Sequence, residues 1–170
     1  MATWTVRAEL PVDVAQIHAL TAAAFPTDEE AQLVDALRGS GAWIDGLSIV
    51  AEESAGTLLG HALLTRCHVD EVPALCLAPC SVLPASQRMG VGASVIRAAL
   101  DAARVQGEAF VVVLGHPAYY PRFGFRRASE ANISLGIDVP DEALMAMTLD
   151  GSRSLPAGVV RYAEAFGIGG

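Results

Sequence analysis

The 170-residue chain contains no lysine. All 11 of its basic side chains are arginines, set against 19 acidic ones for a net charge of -8. Without an ammonium group there is no Schiff-base residue, no pyridoxal-phosphate anchor and no Walker-type phosphate lysine. An excess of acid also makes a poor nucleic-acid partner, because phosphate contacts supply most of that affinity. Cysteine is scarce: Cys67, Cys76 and Cys80 are odd in number and contain no C-x-x-C pair. A disulfide framework and a structural zinc site are therefore not expected, and the three read as buried thiols.

Long apolar runs are missing too, although 52% of the residues are hydrophobic and the mean hydropathy is +0.40. The longest charge-free stretch, residues 72–87, is broken by Pro73, Pro79 and Pro84. It falls short of the roughly 20 apolar residues that a membrane span needs. Residues 1–7 lack the basic and apolar regions of a secretory signal, so the expected compartment is the cytoplasm with no membrane association. The length suits one domain over 1–170 with a substantial core.

The charge that is present is unevenly placed. Residues 1–71 hold 11 acids with only Arg7, Arg38 and Arg66, and so carry the whole -8. No acid falls in 72–100 or in 109–129, whereas Arg88, Arg97, Arg122, Arg126 and Arg127 do. Such stretches would tolerate a polyanion, although on composition alone buried elements are the better account of them.

Residues 3–8 alternate as a strand, and after Pro11 residues 12–25 carry Val14, Ile17, Leu20 and Ala24 at helical spacing. Thr27-Asp28-Glu29-Glu30 fits a capping box opening a helix over 28–38 that ends at Gly39. Two strand-like runs, 47–53 and 57–67, flank the hairpin punctuation Ser54-Ala55-Gly56, and a third covers 74–83. The clearest helix is 91–106, with Val95, Ile96, Ala99, Leu100 and Ala103 as its inward stripe and Gly107 to end it. Phe110-Val111-Val112-Val113-Leu114 is apolar on both faces, as a central parallel strand is. A turn or short helix at 117–123 and strands at 125–128 and 143–149 follow, and 167–170 reads as a frayed tail.

Between the strand at 74–83 and the helix at 91–106 lies Gln87-Arg88-Met89-Gly90-Val91-Gly92-Ala93. Glycines there let main chain approach a ligand, and the N–H groups of a first helical turn, with the positive end of the helix dipole, form an anion site. Helix-start glycines also occur for packing alone, and the loop is not a dinucleotide fingerprint, since Val95 stands where G-x-G-x-x-G needs glycine.

Here the chain resembles the GNAT-type N-acetyltransferases. Val82-Leu83-Pro84 followed by Gln87-Arg88-Met89-Gly90-Val91-Gly92 is similar to their V-x-P and Q/R-x-x-G-x-G/A elements. Tyr119-Tyr120-Pro121-Arg122-Phe123-Gly124-Phe125 resembles their Y-x-x-x-G-F element, in a form typical of one bacterial subgroup. The resemblance implies an α/β (α+β) fold: a mixed sheet of about six or seven strands, splayed between the fourth and fifth and flanked by helices. It implies acetyl-coenzyme A as cosubstrate, with main chain of Cys80, Ser81 and Val82 along the pantetheine arm and acetyl group. Gln87, Arg88, Met89, Gly90, Val91, Gly92 and Ala93 fall on the diphosphate loop, which needs no lysine. Tyr120 falls on the general acid that protonates the departing thiolate, and His116, just after the central strand, is a candidate base, as are Glu52, Glu53 and Glu71 or a water chain. The implied partner is a small-molecule or peptide amine, no nucleic acid or membrane, and relatives are often homodimers. A non-catalytic acyl-coenzyme A binding domain is the alternative that keeps the same loop.

Overall fold

The computed structural model describes residues 3–167, so only Gly167 of the expected tail is within the described residues. Its strands are β1 (Trp4–Ala8), β2 (Ser48–Glu53), β3 (Leu58–Val69), β4 (Val72–Val82), β5 (Phe110–Leu114), β6 (Arg126–Arg127), β7 (Ile133–Leu135), β8 (Leu144–Thr148) and β9 (Gly158–Arg161). Its α-helices are α1 (Val14–Ala24), α2 (Glu29–Arg38) and α3 (Val91–Val105). The described residues form two compact units, residues 3–64 with 78–102 and residues 65–77 with 103–167. Strands β3 and β4 and helix α3 contribute residues to both.

In the first unit β1 pairs antiparallel with β2 from Trp4↔Glu53 to Ala8↔Ile49, and β2 pairs antiparallel with β3. Gly56, at φ 92, makes the tight β2–β3 connection that its place in Ser54-Ala55-Gly56 foreshadows. Helices α1 and α2 pack on each other and bury Ile17, Leu20, Ala31, Val34 and Leu37. The expected capping box is not formed. Helix α2 starts at Glu29 with Asp28 as its cap, so Glu30 stands at the second helical position rather than the third. The Thr27 hydroxyl instead accepts from Glu29 N at 3.3 Å, and Glu30 Oε2 is buried with no hydrogen-bond partner among the described residues.

The same unit holds a polar network that hydrophobic patterning does not announce. Ser48 donates its hydroxyl proton to Glu9, whose carboxylate also accepts from Arg38 at 3.0 Å. His61 Nε2 lies 2.7 Å from that hydroxyl oxygen. The serine proton is committed to Glu9, so Nε2 is the donor and Nδ1 carries the bare lone pair, which is buried and without a hydrogen-bond partner among the described residues. His61 is 0% exposed. Burial first, then nearby Arg38, pushes its pKa down to about 3, so the ring is neutral in the folded protein.

In the second unit β4 pairs parallel with β5, Leu75↔Val111 and Cys76↔Val112, and the ladder stops there, as a sheet splayed at this pair requires. Pro79, which has no N–H to give to a ladder, follows three residues later in β4. β5 is buried over Phe110–Val113 and pairs antiparallel with β8, which also pairs with β6. The sheet is thus mixed, and with its flanking helices the fold is α+β. Arg66 clamps Glu108 with two bonds of 2.8 and 2.7 Å. Cys67 and Cys76 are buried, and burial raises the Cys67 thiol to about 12, so it is no nucleophile at neutral pH.

Two strands have no counterpart in the sequence reading. β7 pairs parallel with β9, and β9 pairs with the end of β3 through His68↔Arg161 and Val69↔Val160. The junction is closed by Asp70, in the left-handed region at φ 50, whose carboxylate accepts from Val159 N at 2.9 Å. Gly158 sits at φ 148, and a Cβ there would lie 2.5 Å from the Asp70 carboxyl carbon.

The neutral His61 sets a pH dependence. The unfolded chain protonates this ring near 6.5 and the folded chain only near 3, so the unfolded state binds more protons between these values. Stability is therefore expected to fall as pH drops from about 6.5 toward 3, by at most about 1.4 kcal/mol per pH unit from this group. Melting temperature against pH should show a shallower acid slope for His61→Leu than for the wild type; identical slopes would reject the assignment.

Candidate functional site

The end of β4 runs through a 3-10 turn at Pro84–Ser86 into the loop that precedes α3. Ser86 N donates to Leu83 O at 2.8 Å, which fixes the exit from the strand. Gln87, Arg88, Met89 and Gly90 are exposed. Arg88 lies at φ 65 and Gly90 at φ 92, both left-handed, and turns of this kind aim successive N–H groups to one side as an anion-binding concavity. For Gly90 this conformation is free of strain; for Arg88 it costs about 1 kcal/mol or more.

Helix α3 begins at Val91, and Ser94 donates to Gly90 O through both its N and Oγ, each at 3.0 Å. That is the first intrahelical bond, so the N–H groups of Val91, Gly92 and Ala93 precede it and have no acceptor within the helix. Val91 is buried while Gly92 and Ala93 are half-buried, which leaves the turn anchored on one side and open on the other. The stretch 72–100 itself contributes no acid to the turn. The donor set thus fits a diphosphate, with Arg88 as an added cation.

Upstream, Ser81 is buried and its hydroxyl points to Thr21 Oγ1 of α1 at 3.4 Å. Thr21 in turn donates to Ile17 O at 2.8 Å. The Ser81 side chain is therefore directed at α1, and what it can offer a ligand is main chain. Cys80 and Val82, of opposite strand parity, are half-buried. This unit brings together all the residues expected to hold a cofactor: Cys80, Ser81, Val82 and 87–93.

The two expected proton-transfer residues share one turn in the second unit. His116 follows β5 by one residue and is exposed, and its main-chain oxygen accepts from Tyr119 N at 3.1 Å and Tyr120 N at 3.4 Å. Its backbone thus nucleates the turn that presents Tyr120. Arg122 donates to Tyr119 O at 2.8 Å and lies 4.3 Å over the Tyr119 ring, which commits that residue to structure. Tyr120 is half-buried, edge-on to Tyr119 at 5.1 Å and to Phe125 at 5.9 Å. Gly115 makes room for it: a Cβ there would lie 2.5 Å from Tyr120 Cε2. Gly115 has no motif signal of its own beyond its place at a strand end.

The alternative bases are differently placed. Glu52 is held by Arg7 at 3.1 Å, whose pKa is raised by the hydrogen bonds it donates to Asp13 and Glu52. Glu53 is half-buried beside Trp4, Thr5 and Ser54. Glu71 is exposed, 3.5 Å from Arg161. Among the described residues no group of three or more His, Cys, Asp or Glu side chains could hold a metal ion, and no helix is long and apolar enough to cross a membrane.

Residues 14–125 match the model of the acetyltransferase (GNAT) family. Over 164 residues, 95% of this chain and 97% of the relative, the chain is 31% identical to the uncharacterized N-acetyltransferase YhbS of Escherichia coli (strain K12). It is similar in structure to a GNAT family N-acetyltransferase (YhbS) from Escherichia coli in complex with CoA, with TM-score 0.90 and 28% identity over 100% of this chain and 95% of that one. A GNAT family acetyltransferase from Brucella melitensis in complex with acetyl-CoA gives TM-score 0.80 and 32% identity over 98% and 99%.

The left-handed Arg88 is open to measurement. Both Arg88→Gly and Arg88→Ala remove the side chain, but only glycine occupies φ 65 without strain. Denaturant unfolding should find Arg88→Gly more stable than Arg88→Ala by about 1 kcal/mol; equal stabilities would mean that the loop is not held in this conformation.

Proposed function

Because the chain belongs to the GNAT acetyltransferase family, we propose that it transfers the acetyl group of acetyl-coenzyme A to a primary amine of a small molecule or peptide, acting as one domain over 1–170. The observation that carries this reading is the turn at 88–93: two left-handed residues and three first-turn N–H groups, in a 72–100 stretch that contains no acidic residue and a chain that contains no lysine. The similar structures from Escherichia coli and Brucella melitensis are complexes with CoA and acetyl-CoA, and the loop here has the donors for a diphosphate.

Bound acetyl-coenzyme A supplies an acetyl group already activated as a thioester. The chain's own contribution is to bind, orient and move protons. Main-chain N–H groups of 88–93 hold the diphosphate, and the main chain of Cys80, Ser81 and Val82 positions the pantetheine arm and acetyl carbonyl. The amine attacks the carbonyl carbon as the carbon–sulfur bond breaks. Two protons need handling. An alkylammonium of ordinary pKa near 10.4 must lose one first, which at pH 7 costs roughly 4–5 kcal/mol. His116, exposed at the end of β5, is the group we assign to accept it and pass it to solvent. Tyr120 delivers a proton from its hydroxyl to the departing sulfur and recovers one from the amide nitrogen. The net products are an N-acetyl amine, free coenzyme A and one proton.

A cationic acceptor agrees with the charge placement. The unit that carries the diphosphate turn holds 10 acids against Arg7, Arg38, Arg88 and Arg97. Arg7 and Arg38 are spent on Asp13, Glu52 and Glu9, so the surface field of this unit stays negative and attracts ammonium groups.

Two measurements check the reading. Coenzyme A at about 100 times its Kd should stabilise the protein by about 2.7 kcal/mol, seen as a rise in melting temperature. No shift at millimolar coenzyme A, with the protein folded, would reject the cofactor site. Tyr120→Phe should lower turnover by roughly a hundredfold or more while coenzyme A affinity stays within about twofold. The assay is thiol release across a panel of polyamines, aminoglycosides, amino acids and short peptides. Unchanged turnover in Tyr120→Phe removes the tyrosine from the mechanism, and coenzyme A binding without turnover of any amine by the wild type points to a binding domain.

A further inference from the structure

Gly60 stands in the interior of β3, where a glycine weakens a strand and needs a reason. It is not in a left-handed turn, and its neighbours give the reason. A Cβ built on it would lie 2.6 Å from Val91 Cγ1, 3.3 Å from the Ser81 carbonyl oxygen and 3.8 Å from Val82 Cγ2. All three neighbours belong to the cofactor segments, and Val91 is the first residue of α3. The register is fixed from the side as well, since Leu83 N donates to Leu59 O at 2.9 Å.

Val82 at 3.8 Å would be in ordinary contact, but the two nearer neighbours cannot step aside cheaply. Val91 is 1% exposed and β-branched, so within a helix its side chain has one favoured rotamer. The Ser81 oxygen is main chain of β4. An added methyl group must therefore move the first turn of α3 off the strand, or β3 away from β4. The N–H groups of Val91, Gly92 and Ala93 move with that turn, while the stripe of Val95, Ile96, Ala99 and Leu100 keeps the rest of α3 in the core.

We infer that Gly60 is a positioning residue for the diphosphate turn: its missing side chain sets the depth at which the α3 N-terminus seats on the sheet, and so the aim of the main-chain donors. The inference rests on the reading of 88–93 as the coenzyme A site. It separates two reasons for a mid-strand glycine, close approach of a ligand and close approach of a helix, and assigns Gly60 to the second.

The experiment is titration of coenzyme A against wild type, Gly60→Ala, Val91→Ala and Gly60→Ala/Val91→Ala, with melting temperatures of each. Gly60→Ala should weaken coenzyme A roughly tenfold, the low end of what overpacking a close-packed contact costs. Val91→Ala removes both Cγ atoms, and in the double variant it should restore affinity to within about threefold of Val91→Ala alone. A purely structural strain would lower the melting temperature without this reciprocal rescue of affinity. If Gly60→Ala does not fold, the double variant is the test, because relief of the clash should return both the fold and coenzyme A binding. Wild-type affinity in Gly60→Ala, or a double variant that folds and binds no better than Gly60→Ala, overturns the inference. A wild type that does not bind coenzyme A overturns the cofactor reading instead.

Discussion

Everything at the candidate cofactor site depends on how the first turn of α3 is seated. The helix is held by Val91, Val95, Ile96, Ala99, Leu100 and Ala103, all buried. Each full-sized side chain among them contributes about 1.5–3 kcal/mol by leaving water. That hydrophobic anchorage fixes a set of polar groups, because a helix delivers its first N–H groups wherever its apolar stripe puts them. The loop before it is tied down at Gly90 by Ser94 and at Leu83 by Ser86, so its left-handed bends are held by main chain on both sides. An anion site built in this way uses backbone dipoles in fixed directions, and needs no reorganisation of long flexible side chains to bind.

This explains how a chain without lysine can belong to a family whose cosubstrate is a polyanion. In the acid-rich N-terminal part, Arg7 binds Asp13 and Glu52, Arg38 binds Glu9, and Arg66 binds Glu108. These cations serve the fold rather than a ligand. Arg7, beside two carboxylates, holds the Asp13 carboxyl below the usual carboxylate range, and Asp13 also caps the turn at Leu10.

What the sequence discloses and what it hides follow from the range of the interactions involved. Helix α3 and strand β5 are legible because their apolar residues recur at one period for many residues, and the structure has them at Val91–Val105 and Phe110–Leu114. The glycine pattern at 90 and 92 marks the loop for the same local reason. β7 and β9 are three and four residues long, too short for a period to emerge, and they exist because each finds a partner far along the chain. The capping box fails by a shift of one residue at the start of α2, a boundary that local propensity fixes poorly. The buried Glu9–Ser48–His61 network is invisible because its members are 39 and 13 positions apart. Gly60 did leave a trace, a lone glycine inside a strand, whose meaning requires knowing that Val91 lies over it. Gly115 behaves alike: the ring it accommodates is five residues ahead, on the far side of a turn that only the fold defines.

The closure of β9 by Asp70 has a consequence for the order in which the molecule assembles. Asp70 and Val159 are 89 positions apart, whereas β2 and β3 are joined by the short Ser54-Ala55-Gly56 connection. Bringing the distant pair together costs about 3 kcal/mol more in loop-closure entropy than the hairpin does, since each doubling of loop length adds about 0.6. The hairpin can thus register early and on its own, and β9, together with the β7 strand it pairs with, joins a sheet whose neighbours already exist. The carboxylate of Asp70 therefore ties β9 to the turn after β3 across 89 positions of chain.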